Sequence, residues 1–151
     1  MTPTLIGRWQ TRIVTFATLG VIVTAIFALL GDGPFFAVLG YVVLFGLVWD
    51  VVWIGLQQLR WDRDWPAAFQ VATGIWEGIF VYAVASLVIL PGIPHEIPPT
   101  TFIAHYGLVW LTIFVWVQGP MRVILPFWRF HGGRVVPGVS ARQRRRSRRA
   151  G

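Results

Sequence analysis

The run Gln57-Gln58-Leu59-Arg60-Trp61-Asp62-Arg63-Asp64-Trp65-Pro66 interrupts two long apolar segments with two arginines, two aspartates and two tryptophans. Before it, residues 34–56 carry a single charge, Asp50, and after it residues 67–90 carry only Glu77. A helix needs about 20 apolar residues to cross a ~30 Å hydrocarbon core, so both flanking segments are long enough to span a bilayer. Cationic residues and tryptophans at a break mark the headgroup layer, and the cationic ends of spans stay in the cytoplasm. The break is therefore read as the inner loop of a transmembrane hairpin.

Two further apolar runs complete the pattern, 13–30 and 101–117. All thirteen basic residues are arginines, and none lies in the gaps 31–33 and 91–100. Arg8 and Arg12 precede the first run, Arg60 and Arg63 separate the second from the third, and the other nine follow the fourth. This spacing predicts an all-α integral membrane bundle of four transmembrane helices with both termini cytoplasmic. The predicted helices cover about 12–30, 34–58, 66–90 and 101–118, with an interfacial segment at 120–130. Together they make one domain, 1–131. Thr100 or Thr101 is the expected N-cap of the last helix. Residues 132–151 read as a flexible Arg-rich cytoplasmic tail.

Composition supports this class. The chain has 151 residues, 56% of them hydrophobic, and a formal net charge of +7. A soluble domain dilutes its apolar residues with more polar surface. The basic balance points to anionic inner-leaflet lipid as partner, through Arg142, Arg144, Arg145, Arg146, Arg148 and Arg149, and not to nucleic acid. Arginine used without lysine suggests a GC-rich bacterial genome and hence a bacterial inner membrane. The absence of cysteine excludes disulfides and thiol chemistry. No cofactor is expected. His95, Glu96 and His105 match no metal-ligand spacing. The three serines, Ser86, Ser140 and Ser147, sit in no nucleophile motif, so no catalytic residue is assigned.

An ionisable side chain inside hydrocarbon costs roughly 2.5–3.5 kcal/mol at the centre on insertion scales, which singles out Asp50 and Glu77. Asp50 lies nine residues from Leu59 and Glu77 eleven from Pro66. At ~1.5 Å per residue their depths differ by only ~3 Å. Antiparallel packing of the hairpin then lets the carboxyls face each other. Two such groups would share a proton, a cation or an arginine. Gln57 and Gln70 extend the polar faces, and Gly74 with Gly78 makes a small-xxx-small pattern suited to helix packing. In the plainer reading the acids are structural and bind a tryptophan indole, a backbone carbonyl or an arginine. In the sharper one they move protons or cations, and in a third they bind a ligand.

The stretch Trp49-Asp50-Val51-Val52-Trp53, then Gln57, the loop above, and Gly74-Ile75-Trp76-Glu77-Gly78 resembles uncharacterised small four-helix membrane proteins of actinobacteria. The resemblance implies an inner-membrane location and carries no activity. Small multidrug transporters share the size and an intramembrane glutamate, but theirs is in the first helix. The first expectation is a structural or accessory subunit packing against partner helices or a second copy. The alternative is a small proton- or cation-coupled transporter using Asp50 and Glu77; a membrane enzyme acting on lipid comes third.

Overall fold

A computed structural model describes residues 4–59, 61, 66–93 and 97–136. The parts of the sequence reading that concern Arg60, Arg63, His95, Glu96 and the tail arginines Arg142 to Arg149 lie outside them. All regular structure among the described residues is helical: α1 (Leu5–Thr15), a π turn (Phe16–Gly20), α2 (Val21–Leu30), α3 (Phe35–Leu59), α4 (Ala67–Leu87), α5 (Pro99–Gln118), α6 (Pro120–Ile124) and α7 (Pro126–Phe130). Four continuous stretches, Leu5–Leu30, Phe35–Gln58, Ala67–Leu87 and Pro99–Ile124, are long and apolar enough to cross a membrane.

The first span starts earlier than its apolar run does. Thr4 caps α1, its Oγ1 accepting from Gly7 N at 3.2 Å, so Arg8 and Arg12 lie inside the helix and not before it. Its core-facing residues include Arg8, Arg12, Phe16, Gly20 and Thr24, a strict spacing of four. In a pure α-helix such a stripe drifts by roughly 40° at each step. The π turn has a wider repeat and offsets that drift. It keeps Arg12 and Thr24 on one face of a single rod.

The fourth span also starts early. Pro98 is its N-cap and Pro99 its first residue, so Thr100 and Thr101 fall within the first turn. Proline is suited to that first turn because its missing N–H would find no intrahelical partner there.

Neighbouring elements close a ring: α1 packs on α3, α3 on α4, α4 on α5, and α5 on the π turn. Val38, Val42, Val81, Ala85, Phe102 and Val109 fill its apolar half. The outer surface carries Leu29, Leu44, Val48, Ile75, Ile79 and Ile103, all exposed. Such a surface would be an aggregation hazard in water and suits lipid contact.

The described ends of the chain meet. Thr4 N donates to Gly132 O at 2.8 Å, and Thr11 Oγ1 donates to Gly133 O at 2.9 Å. Gln10 Oε1 accepts from Val135 N at 3.0 Å and from Val136 N at 3.2 Å. Gly132 and Gly133 have φ of 63° and 81°, left-handed conformations that glycine adopts without a Cβ clash. The segment read as a single interfacial stretch forms the two short helices α6 and α7, which dock inward. Met121 and Trp128 are buried, and Trp128 Nε1 donates to Thr11 Oγ1 at 2.7 Å. Trp128 thus sits under α1 and not on an exposed headgroup-facing surface.

Candidate functional site

The buried polar residues of the described chain are Thr15, Thr24, Asp50, Gln57, Glu77 and His105. Asp50 and Glu77 converge, and the group between them is the Arg12 guanidinium. Arg12 Nε donates to Asp50 Oδ2 at 2.9 Å and Nη2 to Asp50 Oδ1 at 3.1 Å. On the other side Nη1 donates to Glu77 Oε2 at 3.0 Å and Nη2 to Glu77 Oε1 at 3.1 Å. Glu77 Oε1 also accepts from Trp53 Nε1 at 3.0 Å. Each carboxylate thus takes both its oxygens to one cation, the forked geometry that guanidinium offers and ammonium does not. A second arginine adds to the cluster. Arg8 Nη1 lies 3.7 Å from Asp50 Oδ1, and Arg8 Nη2 donates to Gln57 Oε1 at 3.5 Å.

Local sequence explains how three helices meet here. Arg8 and Arg12 are four apart and share a helix face. Opposite them Gly46 leaves room: a Cβ at that position would occupy the space of the Arg12 guanidinium. Trp53 stands one turn from Trp49, and their rings stack at 5.2 Å with Trp76 edge-on to Trp49 at 5.7 Å. That aromatic group covers the Glu77 side of the cluster.

The supporting residues divide. Gln57 joins the cluster, whereas Gln70 Oε1 accepts from Gln118 Nε2 at 2.7 Å and ties α4 to the end of α5. Gly74 and Gly78 face α5, where Trp110 and Tyr106 occupy the space their side chains would take. Tyr106 Oη donates to Gly74 O at 2.6 Å. The close approach is therefore of aromatic rings onto helix backbone.

A cavity of about 160 Å³ runs inside the helix ring beside the cluster. Arg12, Asp50 and Glu77 form one wall, Tyr106, Trp110 and Phe114 another, and Gln70 and Arg122 also line it. The second buried polar group stands apart. His105 Nε2 is 3.0 Å from Thr24 Oγ1, and the ring is boxed by Phe27 at 5.2 Å and Phe35 at 5.1 Å. Its Nδ1 has no hydrogen-bond partner. Phe16, Val42, Val81 and Val109 belong to the apolar core of the bundle.

Among the described residues no group of three histidine, aspartate or glutamate side chains could hold a metal ion. No family model, curated protein or solved structure matches the chain. Reading the site therefore depends on its geometry.

The members that hydropathy does not expose are Arg8 and Arg12. Placed ahead of the apolar run, they look like flanking charges that orient the helix. The available signal was Thr4, a good N-cap four residues before Arg8, which lets the helix begin early enough to carry both arginines inward.

Proposed function

We propose that the protein is a structural or accessory subunit of a bacterial inner membrane, with both termini cytoplasmic. The Arg12 cluster acts as the staple of its bundle. The observation that carries this reading is the full engagement of both carboxylates by one guanidinium. A proton carrier needs an acid that can gain and lose its proton at modest cost. Here both oxygens of each carboxylate are held by hydrogen bonds from Arg12, a geometry that joins three helices and would have to be given up for either acid to serve as a carrier. The same engagement leaves neither acid free as a general acid or base for lipid chemistry.

The orientation follows from the arginines. The charged cluster and Arg122 line one cavity and so belong to the same half of the molecule, and that half is assigned to the cytoplasm. The tail arginines then hold it to anionic lipid, each worth about 1 kcal/mol near such a surface. Partner helices or a second copy would pack on the exposed faces.

The test uses Asp50→Asn with Glu77→Gln in proteoliposomes and in detergent. A structural staple predicts a lower unfolding midpoint and no ion flux from either protein. Proton or cation flux by the wild type, lost in the double variant, would sink the proposal. That outcome would favour the coupled transporter, a reading supported by the cavity that reaches both carboxylates.

A further inference from the structure

We propose that the cavity inside the helix ring binds a small organic monoanion, a carboxylate carrying an apolar body of about benzene to indole size. The size bound comes first. A cavity of this order, ~150 Å³, accommodates benzene when its walls are apolar, and here the volume is about 160 Å³. The walls are not uniform. Tyr106, Trp110 and Phe114 present aromatic surface, with Trp110 and Phe114 stacked at 4.9 Å. The rest of the lining mixes apolar side chains such as Val42 and Ile113 with polar and charged ones.

Charge decides the sign of the ligand. Asp50 and Glu77 turn their oxygens to Arg12, so they offer little to a cation entering the cavity. Arg122 also lines the cavity, and among the described residues no carboxylate lies within ion-pairing distance of it. The three arginines and two carboxylates that line the cavity leave one positive charge over, which disfavours a cationic ligand. A neutral one would leave Arg122 unmatched. A carboxylate can accept the forked pair of N–H groups that a guanidinium presents. Phe114 and Trp110 lie one and two turns deeper along α5 than Gln118, the partner of Gln70, so the apolar body would extend inward from the anionic group.

Calorimetry on the full chain in phosphatidylcholine nanodiscs tests this with benzoate, hexanoate and indole-3-acetate against benzyl alcohol, hexanol and tryptophol. At least one acid should bind tenfold or more tightly than its neutral counterpart. Arg122→Gln, at an exposed position, should erase that preference. Thr73→Leu, which fills the cavity from α4, should weaken acid and alcohol together. If no acid binds, or if Arg122→Gln retains the preference, the proposal is overturned. It is also overturned if phosphatidylglycerol stays bound to the wild type in native mass spectrometry, is released by Arg122→Gln and blocks the acids. The anion would then be a lipid headgroup.

Discussion

Arg12 grips Glu77 through two N–H donors at 3.0 and 3.1 Å, across a separation of 65 residues in sequence. The same guanidinium holds Asp50 equally closely, so one side chain joins α1, α3 and α4. Its side chain is 14% exposed, against 4% and 7% for the two acids. Removing one member of such a buried set leaves charges without partners, whereas removing all of them does not.

Arg12→Gln should therefore destabilise the bundle by about 3–5 kcal/mol, the range for breaking a buried pair from one side. The fourfold change Arg8→Gln, Arg12→Met, Asp50→Asn, Glu77→Gln, which removes every charge of the cluster, should recover most of that loss. Arg12→Lys should recover little, because a single ammonium cannot fork to both carboxylates. Equilibrium unfolding in mixed micelles reads all three; a fourfold variant no better than Arg12→Gln would argue against the cluster acting as one unit.

Gly46 and Gly40 lie on the same helix and should respond in opposite ways to alanine. A Cβ at Gly46 meets the Arg12 guanidinium, which four hydrogen bonds prevent from moving aside. Gly46→Ala should cost at least about 1.5–3 kcal/mol, the worth of one hydrogen bond to a charged group. Gly40 has open space around it, and Gly40→Ala should be neutral or gain about 0.5–1 kcal/mol from reduced backbone entropy. Equal effects at the two positions would contradict the placement of Arg12.

The four spans and the convergence of Asp50 with Glu77 follow from signals that are linear in sequence. Apolar run length sets the spans, and counting residues from the shared loop puts the two acids at similar depth. What joins them is not linear. Arg12 stands at the polar edge of an apolar run, where hydropathy sees a flank, and only the early start at Thr4 turns it inward. The π turn at Phe16–Gly20 leaves no composition signal, since Phe-Ala-Thr-Leu-Gly continues an α-helix equally well. Trp128 is a further case. It falls in the segment read as interfacial, and its buried indole donates to Thr11, 117 residues away, a pairing no local pattern displays.

His105 provides a contrast to Arg12. It too is a buried polar group, but its Nδ1 is unsatisfied and two phenylalanine rings enclose it. An unsatisfied buried polar atom costs about 1–3 kcal/mol. His105→Leu should therefore leave the thermal midpoint unchanged or raise it, with Thr24 turning to a carbonyl of its own helix as Thr15 and Thr18 do. A drop as large as that of Arg12→Gln would mean that His105 holds a partner the isolated chain lacks.

The docking of α6 and α7 predicts a local, not a global, loss of structure. Trp128 is 4% exposed and donates to Thr11 Oγ1, which in turn donates to Gly133 O. One indole thus links α7, α1 and the turn after α7. Truncating a buried tryptophan to alanine removes about 3–5 kcal/mol of packing, and here the packing lies at the edge of the bundle. Segments held by few contacts open without unfolding the whole. Trp128→Ala should speed amide exchange across residues 120–136 while the central turns of α3 and α4 keep their protection. Trp128→Phe retains most of the packing and loses only the hydrogen bond, so its effect should be nearer 1 kcal/mol. Exchange that rises equally in α3 and α4 would show that α6 and α7 belong to the cooperative core and not to a docked edge.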